Sequence, residues 1–102
     1  MDNLEKIYEI LIDHVGKSNK ITSSQMATKL GIVEDDTHAK TRALIFEAAE
    51  KYKLPLAANN RGYFLINTQA EYDEYIENLK TRIAGINKRI EIITNNYKEW
   101  KK

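Results

Sequence analysis

Three bases, Lys40, Arg42 and Arg61, are the residues best suited to a chemical task. Arg61 lies in Asn59-Asn60-Arg61-Gly62, a run of turn-forming types. Its guanidinium is expected at an exposed loop tip, where paired N–H donors can hold an oxyanion. Lys40 and Arg42 stand among Ala39, Ala43 and other residues of helical pattern. Small alanines there would let a helix approach a polyanion surface closely. Other chemistries lack their parts. His14 and His38 are the only histidines, and neither a cysteine nor a close carboxylate cluster accompanies them. No metal site is expected from such a set. Asp35-Asp36 suits the N-terminal cap of a helix better than a cation site. A Gly-rich phosphate loop is missing, as is a Ser/His/Asp set at workable spacing. Neither an enzyme nor a bound cofactor is expected.

The scaffold available to these residues is small. The 102 residues make one domain, or one domain and an arm, and an apolar share of 42% supports a modest core. The net charge is +1, far from the strongly basic balance of many nucleic-acid binders. Residues 1–52 hold seven Lys/Arg and nine Asp/Glu, a net of −2. Residues 53–67 hold two bases and no acid, and residues 68–102 hold seven bases and six acids. A DNA-binding face would have to be assembled locally from a few bases. That implies modest affinity per chain and a need for self-association or a partner. No apolar run approaches the roughly 20 residues that span a bilayer. The start, Met-Asp-Asn-Leu-Glu, lacks the basic character of a signal peptide, so a cytoplasmic protein is expected.

The elements that must position the bases follow from periodicity and punctuation. Leu4, Ile7, Tyr8, Leu11 and Val15 form one face of a first helix of about three turns. A polar loop, residues 16–20, ends it, and Ile21 can form a one- or two-residue strand. Thr22 and Gln25 make a capping box for a second helix over residues 23–30. Gly31 suits its left-handed end. A third helix is expected from about Asp36 to Tyr52. Its core arc holds Leu44, Ile45, Ala48, Ala49 and Tyr52, with Thr37 and Thr41 inside it. The opposite side holds Asp36, Ala39, Lys40, Ala43 and Glu47. Phe46 fits neither side and is expected to pack on another segment, such as the C-terminal helix. Residues 54–58 and 63–66 then read as two strands joined through the Asn-Asn-Arg-Gly turn. Pro55 confines the first of them to an edge.

Helix, strand residue, two helices with a Gly turn, then a hairpin tipped by Arg61-Gly62-Tyr63-Phe64-Leu65 resembles a winged helix-turn-helix domain of the bacterial and phage regulator type. The resemblance covers residues 4–67. It implies that the third helix reads a DNA major groove and that the hairpin, or wing, touches backbone or minor groove. By position it implicates His38, Lys40, Thr41 and Arg42 on the helix and Asn60 and Arg61 in the wing. The acids Asp35 and Asp36 depart from the basic or Ser/Thr-rich helix start usual in that family.

A second stretch starts at Thr68, which forms a further capping box with Glu71. Tyr72, Ile76, Leu79, Ile83, Ile86, Ile90, Ile93 and Tyr97 then alternate steps of four and three. This is the a/d pattern of a coiled coil, with Ile76, Ile83 and Ile90 at a. A helix of about 30 residues would be roughly 45 Å long, and a second chain is expected to cover the seam. Gly85 lies on its outer face, and Trp100 with the Lys-rich end is expected to fray. The fold class expected is α+β, mainly α with a small β-hairpin wing. The boundaries expected are a winged helix-turn-helix domain over 1–67 and an oligomerisation helix over 68–102. The function expected is binding of double-stranded DNA as a dimer or higher oligomer, in transcriptional regulation or a phage or plasmid process. Phosphate contacts from Lys20, Lys40 and Arg61 would position the domain. The alternative is a protein–protein adaptor on the same scaffold.

Overall fold

The computed structural model describes residues 2–34 and 37–100 and is mainly helical. Helix α1 (Asn3–Leu11) begins where the Asp2 carboxylate accepts the Glu5 N–H at 2.8 Å, satisfying a donor the helix cannot satisfy itself. It buries Ile7 and Leu11 and packs mainly on α3 (Ala39–Tyr52). There Tyr8 stacks on Tyr52 with ring centroids 4.7 Å apart. The expected face ran on to Val15, but α1 stops at Leu11 and Val15 is left 41% exposed. Strand pairing is the reason. The His14 carbonyl accepts the Leu65 N–H at 2.9 Å, and the Gly16 N–H donates to the Leu65 carbonyl at 2.8 Å. A chain still in helical conformation could not offer those groups.

Helix α2 (Ser23–Leu30) follows its sequence signals closely. The Thr22 hydroxyl accepts the Gln25 N–H at 3.0 Å, and the Gln25 side chain accepts the Thr22 N–H at 2.9 Å. Gly31 ends the helix at φ 70°, with the Ile32 N–H donating back to the Ala27 carbonyl. This six-to-one bond satisfies a terminal carbonyl. Met26 and Ala27 carry the buried face.

Helix α3 starts later than expected. Its first residue is Ala39, preceded by His38 in the left-handed region at φ 51°. The expected caps Asp35 and Asp36 lie outside the described residues. The Glu34 carboxylate accepts the Thr41 N–H at 3.2 Å, which serves a donor in the first turn from seven residues upstream. Thr41, Ile45, Ala48 and Ala49 are buried, with Leu44 and Tyr52 packed at the edge of the same core. Thr37, placed in that arc by the helical wheel, precedes the helix and is exposed.

Strands β1 (Leu56–Asn59) and β2 (Gly62–Leu65) pair antiparallel, with Asn59 opposite Gly62 and Leu56 opposite Leu65. The loop between them is Asn60-Arg61. On its other edge β2 meets Val15 in a parallel bridge and Ile21 in an antiparallel one. β2 is thus flanked on both edges, and all four of its residues are buried. β1, preceded by Pro55, is the outer strand. Tyr63 and Leu65 join Ile7, Leu11, Ile21, Met26, Ile45 and Ala48 in the core.

Helix α4 (Gln69–Trp100) is a 32-residue helix. The Thr68 hydroxyl accepts the Glu71 N–H at 3.1 Å. The Glu71 carboxylate accepts N–H groups of Asn67 and Lys17, both at 2.8 Å, and the Thr68 N–H, its partner in the expected capping box, also helps to lower its pKa. Contacts of this kind extend the first compact unit to Glu71, and the second comprises Tyr72–Lys102. The helix continues to Trp100 where fraying was expected, while Lys101 and Lys102 lie outside the described residues. Among the described residues no helix is long and apolar enough to cross a membrane.

Candidate nucleic-acid interface

The hairpin tip is built by local chemistry. The Asn59 side-chain carbonyl accepts the Arg61 N–H at 2.8 Å, an Asx-type turn that tightens the two-residue loop. Gly62 follows at φ 141°. A methyl group there would stand 2.6 Å from the Ile21 carbonyl oxygen, so the close approach of the two backbones requires glycine. Ile21 and Tyr63 exchange both backbone hydrogen bonds, at 2.9 and 2.8 Å. That exchange sets the start of α2 beside the tip of the hairpin.

Where these segments meet, a cleft of about 210 Å³ opens. Thr22 and Ser23 line it from the start of α2, Arg42 from α3, and residues 59–63 from the hairpin. Among the described residues no carboxylate lines it, and neither Arg42 nor Arg61 forms an ion pair. Two arginines from separate elements therefore line one cleft together with hydroxyl and amide residues. Phe46 packs edge-on against Tyr63 beside this region, with ring centroids 6.0 Å apart, and remains half exposed. Its partner is the hairpin.

The structure divides the residues that the sequence singled out. Arg42, Asn60 and Arg61 come together at the cleft. Lys40 does not join them. It lies two residues before Arg42, about 200° around the helix, and residues at that spacing do not share a face. Thr41 is fully buried, so it cannot touch a ligand and is withdrawn from the site. His38 is not on the helix surface. It is the residue before the first turn, with Nδ1 3.5 Å from the Glu34 carboxylate. That carboxylate is held below its ordinary pKa, first by the Thr41 side chain and then by the Thr41 N–H and His38. Lys20 is half-buried just ahead of the Ile21 bridge and does not line the cleft. The outward face of α3 carries Ala39, Ala43, Glu47 and Glu50, all exposed, so Arg42 supplies the base on its hairpin side.

Thr22, Ser23, Asn59 and Tyr63 line the cleft without having been marked as site residues. Thr22 stood out only as a cap. The signal that could have found them is the strand tendency of Ile21, because any pairing of Ile21 with the hairpin brings the next two hydroxyls to its tip. No group of three or more potential metal ligands occurs among the described residues. No protein-family model, curated protein or solved structure matches the chain.

Proposed function

We propose that this protein is a winged helix-turn-helix module that binds double-stranded DNA non-covalently, with α4 joining copies of the chain. The observation that carries the reading is the convergence of Arg42 and Arg61 on a cleft that no acid lines among the described residues. Planar guanidinium groups pair with phosphodiester oxygens through two N–H donors each. Asn60 and the Ser23 hydroxyl add neutral donors of the kind that fix backbone register. The closest approach to the bases falls to the exposed Ala39 and Ala43 of α3, where small side chains permit it. The reading takes it as a cytoplasmic protein acting in transcriptional control or in a phage or plasmid process. It needs no cofactor.

The test is fluorescence anisotropy of a labelled mixed-sequence duplex, titrated with protein across a salt series. Arg42→Ala and Arg61→Ala should each weaken binding and reduce the slope of log K against log salt by about 0.9, the change that follows when one phosphate is no longer neutralised. Lys40→Ala should change both much less. Absence of binding at low salt, or equal losses for Lys40→Ala and Arg42→Ala, would refute the reading. A second reading, a protein–protein adaptor, is favoured by the half-exposed Phe46 and the acids Glu47 and Glu50 on the same helix. It predicts an intact salt-independent association with a protein partner that Phe46→Ala abolishes.

A further inference from the structure

The apolar stripe of α4 changes character along its length. Ile76 and Leu79 are half-buried, whereas Ile83, Ile86, Ile90, Ile93 and Tyr97 are each 54–60% exposed. The exposed part keeps the alternating three- and four-residue steps, and Trp100, 87% exposed, continues them to the last residue of the helix. We propose that residues 82–100 of α4 join two further copies of this chain in a parallel three-stranded coil. The proposal deepens the self-association in the reading above, and it does not depend on DNA.

The number of strands follows from side-chain shape. Ile83 and Ile90 occupy a positions, and Ile86 and Ile93 occupy d positions. Two-stranded parallel coils pair a β-branched a residue with Leu at d, because the d side chain there points straight into the facing helix. Ile at both positions shifts the preference to three or more strands. Interface size points the same way. Between residues 82 and 97 the a, d, e and g positions number ten, about half of the roughly 20–30 residues a side in a standard interface. In a three-stranded coil each helix has two neighbours, so the same stripe is covered more completely.

Charge indicates the direction. Arg82 and Arg89 hold g positions, and the e positions that face them across a parallel interface are Asn87 and Thr94. Each arginine then meets a neutral side chain that can accept a hydrogen bond. Antiparallel packing sets g against g. Centring the pair near residue 88 opposes Arg89 to its own copy, and a shift of one heptad toward the start opposes Arg82 to Arg89. A shift the other way separates the arginines but sets Ile83 against Trp100 at the end of the helix.

The chain contains no cysteine, so a single introduced thiol reports geometry without interference. Light scattering on the full chain, without DNA, should give three times 11.8 kDa. Ile86→Leu with Ile93→Leu places Leu at d and should lower the mass to two chains. Oxidised Tyr97→Cys should form covalent pairs, since parallel copies bring position 97 together. Any of the three antiparallel registers leaves those positions roughly 16 Å or more apart along the axis, beyond the about 7 Å that a disulfide can bridge. A wild-type monomer or dimer, or no cross-link in a Tyr97→Cys protein of wild-type mass, overturns the proposal. DNA binding measured on the same samples can stand or fall separately.

Discussion

Gly62 offers the sharpest test of how the hairpin tip is held against the start of α2. In Gly62→Ala the new methyl would lie 2.6 Å from the Ile21 carbonyl oxygen and 3.0 Å from its carbon. Both are backbone atoms, so no side chain can swing aside. The residue also sits at φ 141°, a region in which L side chains are strained by about 1–3 kcal/mol. Relief requires the hairpin to move away from Ile21, which stretches the two backbone hydrogen bonds between Ile21 and Tyr63. At about 0.5–1.5 kcal/mol each, their weakening brings the expected cost to about 2–5 kcal/mol. A domain of this size is typically stable by about 5–15 kcal/mol.

The measurement is urea unfolding followed by near-ultraviolet circular dichroism of the tyrosines, because Tyr8, Tyr52 and Tyr63 all lie in the first unit. About half of the far-ultraviolet helical signal would come from α4. The companion variant is Gly31→Ala, where φ is 70° but nothing lies within 4 Å of the added methyl. Strain alone applies there, at about 1–2 kcal/mol. Gly62→Ala should therefore lose clearly more stability than Gly31→Ala. Equal losses, or a smaller one at Gly62, would mean that the two backbones do not approach each other as described.

Thr22→Ala removes one half of a capping box whose bonds are both formed, and should cost about 1 kcal/mol in the same urea experiment. Glu71 is held below its ordinary pKa, chiefly by the Lys17 N–H and then by that of Asn67, and Glu34 and Asp2 are lowered as well. Folded-state pKa values below the unfolded ones contribute stability that is present at neutral pH and lost as pH falls through the folded values. The melting temperature should therefore drop below about pH 4, and Glu71→Gln should flatten that dependence. Gly85→Ala fills open space on an exposed helix. It should stabilise α4 by up to about 1 kcal/mol, read as higher helicity and a higher melting temperature in circular dichroism.

Local signals made much of the fold legible. α2 could be bounded at both ends because Thr22, Gln25 and Gly31 act within one turn of the residues they cap. The single strand residue at Ile21 and the existence of the hairpin were likewise readable from residue type, although its strands run over Leu56–Asn59 and Gly62–Leu65 rather than 54–58 and 63–66. The start of α3 was not. The donor of its first turn is satisfied by Glu34, seven residues upstream, and no capping pattern describes that spacing. The end of α1 was illegible for a related reason. Helical periodicity places Val15 on the apolar face, but Leu65, fifty residues later, claims the backbone on either side of it.

The candidate site was legible in its parts and not in its assembly. That Lys40 and Arg42 cannot serve one surface follows from helical period alone, once both are placed on a helix. That Thr41 is core follows from the same wheel, so its place among the DNA-binding residues rested on family position against the physical pattern. The partnership of Arg42 with Arg61 is different in kind. It depends on Ile21 pairing with Tyr63, and that pairing depends on Gly62 permitting contact at van der Waals limits. A glycine that reads in sequence as part of a turn thus also sets how close Arg42 of α3 comes to the hairpin tip. If the cleft binds a phosphodiester, substitution at Gly62 should lower affinity without removing any group that touches the ligand.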